Sequence, residues 1–193
     1  MFKIVSVMIV LIALFLFLGM GYFGRGETVI KNKDMQAPVY IIYADKISST
    51  LIKEMEEKYG LHCCGSGGQL ATGVGALAVD FEIRKKVTIE EAREMIVTAT
   101  ERFLELINSD EKIRPYLKEY PFKPNRAEIL LAFRNKDGKD FFDGTPVLVF
   151  QVNNKIFYRR AIPIDKNNPY ASNLRNLYEE PYEKALEIVK NSN

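Results

Sequence analysis

The clearest pattern along the chain lies at Thr88–Asn108, where apolar side chains recur at three- and four-residue steps. That spacing places them along one face of an amphipathic helix. Thr88 and Glu91 have the spacing of a capping box at its start. A stripe this wide must pack on a sheet or on other helices, because local propensity alone leaves such a helix marginal in water. The apolar positions are Ile89, Ala92, Met95, Ile96, Val97, Ala99, Phe103, Leu104, Leu106 and Ile107.

Alternation of apolar and polar side chains predicts four strands. They lie near residues 76–85, 127–134, 146–152 and 155–162. The last two are separated by Asn153-Asn154. Asparagine tolerates positive φ, so a two-residue turn is predicted to join them as a hairpin.

A second helical pattern begins after Pro38, with apolar residues stepping by four as far as Tyr59. An alternative is a short strand at Val39–Tyr43, followed by a helix that begins near Ser48 or Ser49. Both interpretations end the helix at Gly60, because glycine readily adopts the left-handed conformation that closes helices.

A last helix is predicted at Leu177–Lys190, with Pro181 allowed in its first turn. The glycine-rich stretch 62–75 is interpreted as a flexible turn between a helix and a strand. Strands that cluster after a helix, with a tight hairpin, indicate an α+β fold. We therefore expect a single domain at 38–193, with an antiparallel sheet of about four strands packed with two or three helices.

Residues 4–23 form an apolar run without a charged side chain. About 20 helical residues span the hydrocarbon core of a bilayer, so this run predicts a transmembrane anchor at 1–23 that contacts the membrane. The alternative is a signal peptide, with export after cleavage near Gly21. The length favours the uncleaved anchor, with the domain outside the cytoplasm and residues 24–37 as a polar tether.

Composition excludes several classes of protein. The net charge of +2 is too small to indicate nucleic acid as a partner. Two cysteines exclude a scaffold held by several disulfide bonds. One histidine and two cysteines are also too few ligands for a metal site, unless acidic residues join them.

Two glycine motifs match part of the residue pattern of a cofactor site but lack the other features that such a site requires. Gly73-x-Gly75-x-x-Ala78 leads into a strand, whereas a dinucleotide fingerprint follows a strand and opens a helix. Gly65–Gly68 lacks the lysine of a phosphate-binding loop. No cofactor is therefore predicted.

The segment His62-Cys63-Cys64 is the one candidate for covalent chemistry. A thiolate beside an imidazole can act as a nucleophile, so these residues would be catalytic in a thiol-dependent enzyme or redox sensor. The alternative is that both cysteines are small apolar residues at the end of a helix, which is the commoner role.

Aromatic and basic residues alternate in the proline-bounded connector after Thr88–Asn108. Tyrosine and arginine are enriched at binding hot spots, so this connector is a candidate surface for a protein or peptide partner. The alternative is a cap whose aromatic rings cover one end of the core. The candidate partner-binding residues are Arg114, Tyr116, Tyr120 and Lys123.

The run from Thr88 to Phe122, IEEAR…FLELIN…IRPYLKEYPF, resembles a group of small exported or membrane-anchored bacterial proteins without an assigned activity. The preceding KYGLHCCGSGG resembles the junction between helix and strand in the same group. The resemblance covers the soluble domain and implies no catalytic residues. The expected function is therefore a non-catalytic, membrane-tethered or exported domain that binds a protein or peptide, with thiol chemistry as the alternative.

Overall fold

A computed structural model describes residues 37–164 and 172–192. The apolar run at 4–23 and the tether up to residue 36 lie outside the described residues. No helix in the described part of the chain is both long enough and apolar enough to cross a membrane. In chain order the elements are α1 (Val39–Tyr59), β1 (His62–Gln69), β2 (Ala76–Ile83), α2 (Ile89–Ser109), the 3-10 helices η1 (Arg114–Tyr116) and η2 (Pro124–Arg126), β3 (Ala127–Phe133), β4 (Leu148–Val152), β5 (Lys155–Ala161), β6 (Leu174–Pro181) and α3 (Tyr182–Ser192).

The fold is α+β, as predicted, but in the part of the chain that the structure describes the sheet has six strands and is mixed. The strands lie in chain order from β1 to β6. β2 and β3 are parallel, whereas every other neighbouring pair is antiparallel. The prediction of about four antiparallel strands is therefore wrong. Parallel neighbours need a connection that returns to the same end of the sheet, and α2 with the segment after it makes that crossover.

Helix α2 begins as the sequence predicts. The Thr88 hydroxyl accepts a hydrogen bond from the Glu91 amide at 3.2 Å, and the Thr88 amide donates to the Glu91 carboxylate at 2.9 Å. Phe103 and Ile107 on its apolar face are completely buried. Because α2 contacts α1, α3 and the sheet, its wide apolar stripe is covered on several sides.

Helix α1 is continuous from Val39 to Tyr59, which excludes the alternative of a strand at its start. It ends at Gly60, whose φ of 70° is the predicted left-handed conformation. The hairpin between β4 and β5 is also confirmed, with φ of 51° at Asn153 and 59° at Asn154.

Two segments differ from the prediction. His62–Gln69 is not a flexible turn but a strand, paired with β2 along its length at the edge of the sheet. Glycine-rich sequence carries no alternation of apolar and polar residues, so the strand has no local signature. The predicted helix at Leu177–Lys190 starts too early, because β6 runs through Pro181 and α3 begins at Tyr182.

A buried ionic cluster joins α2 to β5 and β6 inside the core. Arg93 donates to the Glu180 carboxylate at 2.8 Å, and the Tyr158 hydroxyl donates to the same oxygen at 2.7 Å. The other carboxylate oxygen of Glu180 is buried without a hydrogen-bond partner among the described residues. Removing one member of a buried ion pair leaves an uncompensated charge, which costs about 3–5 kcal/mol.

We expect Gly68→Ala to destabilise the domain. A Cβ at this position would collide with the backbone carbonyl oxygen of Ala76, on the neighbouring strand β2. Overpacking of this kind costs about 1–3 kcal/mol, measured as the free energy of unfolding in a denaturant titration. Gly67→Ala is the matched control, because a Cβ there meets no atom within 4 Å. Equal stability of the two variants would contradict the pairing of β1 with β2.

Candidate functional site

The connector after α2 is held against the domain at both ends. The Asp110 carboxylate accepts hydrogen bonds from the amides of Lys112 and Ile113 at 2.8 and 2.9 Å, and the Ile113 side chain is buried. At the other end, the Asn108 side chain donates to Phe122 O at 3.0 Å and accepts from its amide at 2.6 Å. These bonds fix the backbone that carries the candidate binding residues.

The middle of the connector pairs with the strand-like segment before β2. Val74 donates to Tyr116 O at 2.8 Å, and the Lys118 amide donates to Val74 O at 3.0 Å. Val74 and Leu117 form an isolated parallel bridge. Tyr116 is 37% exposed and Tyr120 is 54% exposed, so a rigid backbone presents two tyrosine rings to solvent.

Tyr116 contacts two tyrosines of α1. Its ring centroid lies 5.5 Å from that of Tyr40 and 6.4 Å from that of Tyr43. The Tyr40 hydroxyl donates to Leu70 O at 3.0 Å, directly after β1. We call Tyr40, Tyr43, Arg114, Tyr116 and Tyr120 the aromatic surface.

The four residues predicted from the sequence do not form one cluster. The Arg114 guanidinium lies 4.9 Å from the centre of the Tyr120 ring, a cation–π arrangement. Lys123 instead forms an ion pair with Glu119, which also lies 3.9 Å from Arg126. Its charge is therefore partly compensated, and Lys123 is a weaker candidate for partner contact than Arg114.

Tyr40 and Tyr43 were missed by the sequence analysis. Tyr43 lies on the step-by-four apolar stripe of α1, a pattern that indicates burial rather than an exposed binding residue. Both rings are half-buried, which leaves part of each accessible. Their contact with Tyr116 is tertiary, and no local pattern indicates it.

The second predicted site, His62, Cys63 and Cys64, lies on β1. Both thiols are free and exposed. His62 Nδ1 lies 3.2 Å from the Glu56 carboxylate, and the thiols donate to backbone oxygens: Cys63 to Gly65 O at 3.5 Å and Cys64 to His62 O at 3.8 Å. The imidazole is thus oriented by a carboxylate and makes no described hydrogen bond to a thiol.

The electrostatics around Cys64 oppose a reactive thiolate. Burial raises the pKa of the Cys64 thiol, the carboxylates of Glu82 and Asp80 raise it further, and the Arg134 guanidinium lowers it by less. Activated cysteines have a lowered pKa and a cationic neighbour. Among the described residues, no group of three or more His, Cys, Asp or Glu side chains is arranged to hold a metal ion.

Strand β1 presents an unpaired edge beside the aromatic surface. Its residues are exposed or half-buried throughout, and only β2 pairs with it in the described sheet. Backbone amide and carbonyl groups that point away from β2 are free to pair with another strand.

Comparison of the chain with protein families, characterised proteins and solved structures yields no match. The resemblance to small exported or membrane-anchored proteins therefore stays a prediction.

We expect slow alkylation of Cys64 at neutral pH. Its raised pKa keeps the thiol protonated, so the rate should increase as pH rises through and beyond the usual range of a cysteine. The measurement is iodoacetamide labelling of a Cys63→Ser variant, followed by mass spectrometry, with the urea-unfolded variant as the reference thiol. A rate faster than the unfolded reference at pH 7, and independent of pH, would contradict this assignment and support thiol chemistry.

Proposed function

We propose that this chain is a non-catalytic domain, tethered to a membrane or exported, that binds a protein or peptide partner through the aromatic surface. The observation that carries the proposal is the exposure of Tyr116 and Tyr120 on a backbone held at both ends. Tyrosine rings supply a large contact area at a low cost in side-chain entropy, which is why they are enriched at binding hot spots.

The connector is already ordered before binding, which also supports a binding function. Binding costs free energy for every loop that becomes ordered in the complex. Because hydrogen bonds from Asp110 and Asn108 already fix the connector, its tyrosines bind without that cost. The Arg114 guanidinium over the Tyr120 ring can orient a polar or acidic group of the partner.

The edge of β1 indicates the shape of the partner. Tyr40 bonds to Leu70 O, so the aromatic surface begins where β1 ends. An extended segment can add to a free strand edge through backbone hydrogen bonds, while neighbouring side chains provide specificity. We therefore propose an extended peptide segment that pairs with β1 and places a side chain among Tyr40, Tyr116 and Tyr120.

Thiol chemistry at Cys63 and Cys64 has less support. The pKa of Cys64 is raised rather than lowered, and His62 pairs with Glu56. The thiols still lie on the edge strand that the proposed peptide would contact. Their labelling therefore also reports on occupancy of that edge.

Photocrosslinking tests the binding surface directly. With benzoylphenylalanine in place of Tyr120, we expect a covalent adduct with a partner in membrane extracts. Phe142 is the matched control position, because it is 57% exposed and lies in the segment between β3 and β4. Adding Tyr116→Ala to the Tyr120 probe should reduce the adduct about tenfold or more, as expected for loss of a hot spot worth roughly 1.5–2 kcal/mol.

The folded state of each variant is checked by its melting curve before the comparison. Equal adducts from positions 120 and 142, or an adduct that Tyr116→Ala leaves unchanged, would contradict the proposed site.

The proposed localisation rests on the apolar run at 4–23 and has its own test. We expect the full-length mass in the membrane fraction, because that run matches the thickness of a bilayer. An exported protein that lacks about the first 21 residues would support the signal-peptide alternative. Full-length chain in the soluble cytoplasmic fraction would contradict both.

A further inference from the structure

The second face of the sheet has no described helix packed on it. The three helices that the structure describes lie on the face formed by residues such as Val79, Leu131 and Val149. Side chains at the alternate positions of each strand point to the opposite side. We call this side the open face.

Strand register arranges the open face in rows. One row crosses the whole sheet, with His62 beside Glu82, then Ala132, Leu148, Arg159 and Asn176. The next row, across β2 to β6, contains Asp80, Leu130, Phe150, Phe157 and Glu179. Each row therefore has an apolar centre between charged or polar ends.

The charges on the open face are separated by sign from β2 to β5, whereas Glu179 on β6 lies 3.7 Å from Lys155. The acidic strip consists of Asp80 and Glu82 on β2 and Glu128 on β3. The basic strip consists of Lys155 and Arg159 on β5. Between the two strips, the half-buried side chains are apolar, and the rings of Phe150 and Phe157 stack at 5.2 Å.

The acidic strip is only partly compensated within the described residues, because Glu82 lies 3.9 Å from the Arg84 guanidinium. Asp80 and Glu128 form no ion pair there, and burial raises the pKa of both carboxyl groups. On the basic strip, Arg159 lies over the rings of Phe157 and Phe150 at 5.6 and 5.9 Å. Lys155 pairs with Glu179, so Arg159 is the cation of the basic strip that forms no ion pair among the described residues.

We infer that the open face is an interface between two copies of this chain. The two sheets would face each other across a two-fold axis that runs parallel to the strands. With this axis above the gap between β3 and β4, β2 of one copy lies against β5 of the other. Glu82 then faces Arg159 of the second copy, and Leu130 faces its Phe150. The arrangement is an aligned sheet-on-sheet packing, in which two inner faces form a shared core about 10 Å thick.

The size of the face predicts a weak dimer. Six strands span roughly 24 Å across, and the rows extend roughly 20 Å along the strands, which gives about 500 Å² per copy. The total of about 1,000 Å² lies at the lower limit for specific association. We therefore expect a dissociation constant in the micromolar range.

Exchanging the charges of Glu82 and Arg159 can distinguish an ion pair between two copies from an interaction within one chain. Glu82 and Arg159 lie on β2 and β5, three strand spacings apart, which is roughly 14 Å. That distance is too long for an ion pair inside one chain. A double reversal can therefore restore their attraction only between copies.

The experiment is sedimentation equilibrium of the full-length chain in a density-matched non-ionic detergent, over a concentration series. We expect a dimer for the wild-type chain. Glu82→Arg and Arg159→Glu should each increase the dissociation constant at least tenfold, and the double variant should return it to within about threefold of wild type. Glu57→Lys, an exposed charge reversal on α1, is the control and should leave the dimer unchanged.

Melting curves establish that each variant is folded. A wild-type chain that stays monomeric throughout the series would overturn the inference. So would a dimer that persists unchanged in both single variants, because another surface would then hold it together. Failure of the double reversal to restore association would overturn the assignment of Glu82 opposite Arg159.

Discussion

The parallel pairing of β2 and β3 is the constraint on which the rest of the fold depends. Parallel neighbours need a connection that crosses the sheet, and α2 carries it over the face that becomes the core. Once α2 lies there, its wide apolar stripe needs α1 and α3 beside it. The connector that brings the chain back to β3 then has to close the end of this layer, which is where Tyr116 and Tyr120 lie.

Local signals were enough to predict much of this architecture. The capping box of α2, the left-handed Gly60 and the Asn153-Asn154 turn are properties of neighbouring residues, and each was confirmed. The identity of strand partners is not local. The alternation at 76–85 and 127–134 does not distinguish parallel from antiparallel pairing. Strand β1 has no alternation at all, because its pairing depends on small side chains rather than apolar ones.

In the candidate site, too, local features could be predicted from the sequence and tertiary contacts could not. Exposure of Arg114, Tyr116 and Tyr120 follows from a connector broken by prolines, which sequence reasoning identified. Tyr40 and Tyr43, the neighbours of Tyr116, come from a helix more than 70 residues earlier, so only the tertiary structure brings these three rings together. For His62, the sequence placed an imidazole beside two thiols, whereas α1 supplies Glu56 as its partner. Adjacent side chains on a strand point in opposite directions, which separates His62 from Cys63, and the register shift between Cys63 and Gly65 interrupts this alternation at Cys64.

The buried pair of Arg93 and Glu180 also has a consequence for biosynthesis. These residues are 87 positions apart, and Glu180 belongs to the last strand of the sheet. During translation Arg93 is made long before its partner, and a lone guanidinium is too costly to bury. The nascent α2 therefore cannot settle fully on the sheet until β6 has emerged. The domain therefore completes its packing only when synthesis of the chain is nearly finished. A product truncated before β6 would expose the core-facing side of α2 to chaperones and proteases.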